Sequence, residues 1–132
     1  MNIAYIMRGI PGSGKSTLAR ELAGDTGVVH SSDDFFMQGE RYCFDGRRLG
    51  AAHLWNFSRF KQSLASGIPL VVCDSTNVRH EHYLPYVHAA EAAGYQVVII
   101  ALAHPDPHVA TERNIHGVPL ETIQSMMARW EP

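Results

Sequence analysis

The sequence predicts an α/β protein: a parallel sheet with helices on both faces. Short apolar runs at residues 3–7, 27–30, 70–73 and 96–101 alternate with helical patterns, which is the rhythm of strand–helix–strand units. The first run leads directly into G-I-P-G-S-G-K-S at residues 9–16, a loop of the form G-x-x-x-x-G-K-[ST] that joins a strand to a helix. A length of 132 residues with 45% apolar and 18% charged content is expected to make one domain, 1–132, with one buried core.

Taken in order, residues 3–7 are a short core strand. The loop that follows can wrap an anion: Gly12 and Gly14 have no Cβ, so successive N–H groups can turn inward. Ser13 and Thr17 contribute to the same cradle, Lys15 adds a point charge, and Ser16 offers a hydroxyl to Mg²⁺ at the positive end of a helix. The loop therefore points to a nucleotide triphosphate. That helix is expected over 16–23, stopped by Gly24. A second strand ends at His30 and runs into S-S-D-D-F-F. Residues 37–48 have no clean periodicity and read as a loop walling a substrate site. The second helix is expected over 50–66, with Leu49, His53, Phe57, Phe60 and Leu64 on one core stripe, which makes His53 a core or boundary residue. Two readings stay open for Trp55: it faces outward with Arg59 as a surface for stacking a base, or it packs under the preceding loop with Tyr42 and Phe44.

The third strand, 70–73, holds Cys73 as a buried small hydrophobe, and neither it nor Cys43 belongs to a metal motif or an expected disulfide. A third helical region is expected over 79–93, with Pro85 starting a new first turn and Gly94 closing it. After the fourth strand and a further helix, residues 112–119 read as a lid. The last helix begins at Pro119 and carries Leu120, Ile123, Met127 and Trp130 on its core face. The spacings His104/His108 and His80/His82 lack further ligands, and both pairs read as surface residues or helix caps. No apolar stretch reaches the length of a membrane span, and the interrupted first run does not read as a secretory signal, so a cytoplasmic protein is expected.

Chemistry concentrates at the carboxyl ends of the strands, where ligands of open α/β sheets bind. Asp33, nearer the second strand than Asp34, is the expected general base for a hydroxyl proton; capping the turn before Phe35 is the competing role for both. Asp74 follows four apolar residues as a Walker B carboxylate does, and is expected to help hold Mg²⁺ with Ser16. Arg113, on the lid, is the candidate for offsetting charge on a transferring phosphoryl group. A net charge of −2 excludes a broad grip on a long polyanion, though a few arginines around one pocket could still hold a strand end.

The motifs G-I-P-G-S-G-K-S-T, S-S-D-D-F-F, the F-D…L-G-x-x-H-x-W pattern from Phe44 to Trp55, D-S-T-N and E-R-N-I-H-G-V-P occur in this order. With them the chain resembles the polynucleotide 5′-hydroxyl kinase group of phosphate-loop proteins, and most of all its small AAA-type, kinase-like ATP-binding domains. The resemblance implies a three-layer α/β/α fold whose four parallel strands lie in the order 2-3-1-4. It also implies ATP and Mg²⁺ at Lys15 and Ser16, a base at Asp33 and a phosphate contact at Arg113. The chain departs from phage-type members in carrying Phe36 where they have an arginine after the aspartate pair, and about His116 where they have a second lid arginine. Arg41, Arg47 or Arg79 are candidate substitutes, as is protonated His116. The expected function is transfer of the γ-phosphoryl group of ATP to a hydroxyl, foremost the 5′-hydroxyl end of RNA or DNA. The alternatives are a kinase acting on a small hydroxyl-bearing substrate such as a nucleoside, and an ATP-binding regulatory module with weak ATPase activity.

Overall fold

In the computed structural model, which describes residues 1–132, the apolar run at the N-terminus becomes β1 (Ile3–Arg8), one of the two inner strands of the main sheet. The others are β2 (Val28–His30), β5 (Leu70–Asp74) and β6 (Gln96–Ala101), with a separate two-stranded hairpin, β3 (Met37–Gln38) and β4 (Arg41–Tyr42), between β2 and β5 in the chain. The main sheet runs β2-β5-β1-β6 with every pairing parallel, which is the expected 2-3-1-4 order once the hairpin is set aside. Met7 lies opposite Asp74, so the phosphate loop leaving β1 and the carboxylate ending β5 are neighbours across one pair of strands.

The period-two alternation of a strand sends its residues to two cores. Ala4, Ile6, Val71 and Cys73 meet Phe60, Leu64, Tyr83, Tyr86 and Ala90 from α2 (Leu49–Ala65) and α3 (His80–Ala92). On the other face Met7 and Val72 meet Ala19 and Ala23 of α1 (Lys15–Ala23). A third, smaller cluster of Ile10, Ala110 and Ile123 fastens the phosphate loop to α4 (Pro107–Arg113) and α5 (Leu120–Arg129). No helix is long and apolar enough to cross a membrane.

The structure corrects three expectations. The core stripe of α2 is Ala52, Asn56, Phe60, Ser63 and Leu64 rather than one running through Leu49 and His53. Only the C-terminal half of α2 lies over the sheet; its first turns line a cavity at the sheet's carboxyl edge, which leaves Leu49 40% exposed and His53 at the cavity wall. Pro85 does not start a new turn: α3 is continuous from His80 to Ala92, and the proline sits on its solvent side, where the unpaired Glu81 carbonyl is open to water. Residues 37–48 are not simply a loop. They hold the β3–β4 hairpin, with Gly39 at φ 63 in its two-residue turn, and then a 3₁₀ turn at Gly46–Arg48. Strands of two residues are too short to leave a readable period.

Candidate active site

The phosphate loop has its shape because two glycines stand where side chains cannot. Gly12 has φ +81, and a Cβ there would lie 2.3 Å from the Ala110 carbonyl oxygen of α4. Gly14, the residue before α1, has φ +89 and open space around it. The N–H groups of Gly12, Gly14, Lys15, Ser16 and Thr17 donate to no carbonyl of the chain, whereas Ser13 N–H closes the loop on the Ile10 carbonyl at 3.1 Å. The Ser13 hydroxyl is buried with no partner. Unpaired donors converging at a helix N-terminus fit a phosphate group.

Lys15, the first residue of α1, lines the same cavity. Its Nζ donates to Asp74 Oδ1 at 2.5 Å, and both side chains are buried. A buried ion pair is favourable only where its geometry is good, and here it ties the first residue of α1 to the end of β5. The Ser16 hydroxyl makes no hydrogen bond within the chain and faces the same cavity as Asp74. A free hydroxyl and a carboxylate beside a phosphate cradle fit Mg²⁺, which takes few protein ligands.

Across the cavity, the competing role of capping the turn after β2 belongs to Ser31. Its hydroxyl accepts from Asp33 N–H at 3.2 Å, and its carbonyl accepts from Asp34 N–H at 3.1 Å. The Asp33 carboxylate is thereby left to the cavity, which Asp34 does not line. Tyr42 of β4 donates its hydroxyl to Asp33 Oδ1 at 3.3 Å, and His116 Nε2 lies 3.5 Å from Oδ2. The Tyr42 and His116 rings stack with centroids 4.0 Å apart. Burial, reinforced by the Asp33 charge, raises the Tyr42 pKa, which keeps its hydroxyl a donor. His53 Nδ1 bonds Ser32 Oγ at 3.1 Å; burial lowers its pKa while Asp33 pulls the other way.

One cavity of about 590 Å³ joins these parts, with Lys15, Ser16, Asp33, Asp74 and Arg113 all on its wall. That volume is in the ordinary range of small-molecule sites. Arg113 ends α4 and is exposed, and no carboxylate pairs with it. The lid expected at 112–119 is thus the end of α4 followed by a loop. Asn114 closes that loop: its Nδ2 donates to the Thr111 and Val118 carbonyls at 2.9 and 3.1 Å, and its Oδ1 accepts from Val118 N–H at 2.8 Å.

None of Arg41, Arg47 and Arg79 lines the cavity. Arg47 pairs with Asp45 on the surface, and Arg79 lies 3.6 and 3.5 Å from Glu81 and Glu131. The arginines on the wall besides Arg113 are Arg20 and Arg129, which spacing does not single out. Helical period alone puts His53 in the core, although the L-G-x-x-H-x-W pattern marks it. Trp55 follows neither reading in full: Arg59 stacks on it at 4.3 Å, and its ring packs edge-on against Phe35 at 5.6 Å, away from Tyr42 and Phe44.

A model of the family described as an AAA domain matches residues 5–132. Human NEDD4-binding protein 2 is 37% identical over 137 residues, covering 98% of this chain, which spans 8% of that protein's length. Among solved structures, a chain of the Pnkp1/Rnl/Hen1 RNA repair complex aligns with 97% of this chain and 43% of its own, at a TM-score of 0.72 and 18% identity. Kti12 of Chaetomium thermophilum in complex with ADP-AlF3 aligns over 98% and 80%, at a TM-score of 0.69 and 15% identity. At these identities the structures show the fold alone, a parallel sheet flanked by helices.

Proposed function

The chain belongs to the AAA domain family, and on that premise we propose that it transfers the γ-phosphoryl group of ATP to a hydroxyl, with the 5′-hydroxyl end of RNA or DNA as acceptor. The observation that carries the proposal is Asp33: Ser31 caps the turn in its place, and its carboxylate opens onto the same cavity as the phosphate loop. The nucleic-acid acceptor is supported by the motif order and by the fold shared with a chain of an RNA repair complex.

Each residue then has a role. The free N–H groups of Gly12, Gly14, Lys15, Ser16 and Thr17, with the Lys15 ammonium, bind and orient the phosphates, and Ser13 shapes the loop through its bond to Ile10. Ser16 and Asp74 would hold Mg²⁺, whose charge offsets that of the phosphate oxygens. Asp33 takes the proton of the acceptor hydroxyl, with Tyr42 and His116 fixing the carboxylate's position. Arg113, unpaired on α4, offsets charge on the transferring group, and the loop closed by Asn114 sets where that guanidinium stands.

The direct test is incubation with labelled ATP, Mg²⁺ and separate pools of 5′-hydroxyl RNA, 5′-hydroxyl DNA, nucleosides and other small alcohols. Label in an oligonucleotide pool and not in the small molecules is the expected result. Label confined to a small molecule would reassign the acceptor, and ATP hydrolysis with no labelled acceptor would contradict the transferase reading.

A further inference from the structure

Where the resembled kinases place an arginine after the aspartate pair, this chain has Phe36, which is only 4% exposed. Its ring is the base of an aromatic wall. Phe44 stands edge-on against it with centroids 5.1 Å apart, and Tyr42 does so at 6.2 Å. Tyr42 and Phe44 lie nearly parallel, 16° apart. Tyr42 is committed, since His116 stacks on its ring and its hydroxyl holds Asp33. Phe44 is not: it is 56% exposed, lines the cavity, and stands at the mouth with Leu49 and Ile115, which are 40% and 83% exposed. No arginine from the hairpin or the turn after it faces the cavity.

From this wall we infer that Phe44 is an acceptor subsite that stacks the terminal nucleobase, so that the acceptor end is gripped by its base rather than by the phosphate that follows. The inference deepens the reading of the chain as a kinase of 5′-hydroxyl ends and rests on it for the identity of the ligand. A planar ring seated on a buried neighbour offers a fixed surface that loses little entropy when a base stacks on it. Since neither Arg41 of the hairpin nor Arg47 or Arg48 of the turn after it lines the cavity, a phosphate against this wall would lack the bidentate partner that an arginine of those segments could supply. The net charge of −2 is consistent with an acceptor held mainly through its base.

The test reads binding without turnover. A 5′-hydroxyl trinucleotide carrying 2-aminopurine at its 5′ end is titrated into the protein with Mg²⁺ and a non-hydrolysable ATP analogue. A matched trinucleotide with an abasic 5′ residue serves as competitor. Quenching of the 2-aminopurine is expected, with the abasic competitor binding about 5- to 100-fold more weakly. Phe44→Ala should weaken the intact acceptor by a similar factor and leave the abasic one unchanged. Phe44→Tyr should restore stacking, and Phe44→Leu, apolar but not aromatic, should not. Equal affinity for intact and abasic ends, absence of any quenching, or full binding by Phe44→Leu would overturn the subsite. If base-dependent binding is seen but no acceptor is phosphorylated, the subsite stands and the kinase reading falls; if transfer occurs but ignores the terminal base, the kinase reading stands and the subsite falls.

Discussion

Arg8 ends β1 with its guanidinium held between two rings, 4.6 Å from the centroid of Tyr83 and 4.3 Å from that of Trp130. It donates to the carbonyls of Asn77, Val78 and Glu131 at 2.9, 3.2 and 2.5 Å, and the residue is only 3% exposed. Beside it Asn77 adopts the left-handed conformation, φ 49, and donates to the Met7 carbonyl at 2.7 Å. These two residues fasten the ends of β1 and β5, and so the phosphate loop and Asp74, to the segment that follows α5. Arg8→Met is expected to cost about 2–4 kcal/mol in chemical denaturation, because buried carbonyls lose a charged donor. Arg8→Lys should not restore the loss, since an ammonium cannot span the fork of acceptors. Stability unchanged in Arg8→Met would refute this account of the residue. In the sequence Arg8 is visible only as an interruption of an apolar run, because burial paired with distant carbonyls leaves no local pattern. The loop at residues 9–16 is the opposite case: eight consecutive residues mark it, and it lies between β1 and α1 with Gly12 and Gly14 at positive φ.

At the scale of elements, strands and helices of ordinary length are legible in the sequence, and what is not legible has physical causes. The α2 stripe is misplaced by period because period alone does not say which half of a helix lies on the sheet. The β3–β4 hairpin escapes because two-residue strands carry no alternation. The segment 112–119 is marked by its glycine and arginine, but its fastening is not: Asn114 ties residues 111 to 118 through bonds that depend on the loop already being folded. Asn114→Ala removes that tie at a partly exposed site, so the fold should remain intact within about 1 kcal/mol. Arg113 would then be poorly positioned, and kcat should fall about tenfold while ATP affinity changes less than about twofold. An equal loss in both, by steady-state kinetics and ATP titration, would show that the loop serves nucleotide binding instead.

For the molecule as a whole, the group that most clearly links pH to stability is His30 at the end of β2. It bonds Ser63 of α2 at 2.7 Å and is 5% exposed. Burial, aided by the Arg59 charge, lowers its pKa from 6.5 to about 4. Between these values the unfolded chain binds a proton that the folded chain does not, so stability falls as pH drops from 6.5 toward 4 and is flat above that window as far as His30 is concerned. The full loss is about 3 kcal/mol. Denaturation midpoints taken from about pH 7.5 to about 4.5 should show this decline, and His30→Gln should make it shallower; an unchanged slope would remove His30 as its cause.

The α/β frame brings the carboxyl ends of β1, β5 and the edge strand β2 to a single cavity, where Asp33 is proposed to take a proton from an acceptor hydroxyl. Asp33→Asn preserves size and lies on the cavity wall rather than in the core. The most direct measurement is phosphoryl transfer from labelled ATP to a 5′-hydroxyl oligonucleotide by Asp33→Asn and the parent protein, with ATP affinity measured alongside. The account predicts ATP bound as tightly as before and transfer slowed by about 100-fold or more; normal ATP binding with transfer at the parent rate would contradict it.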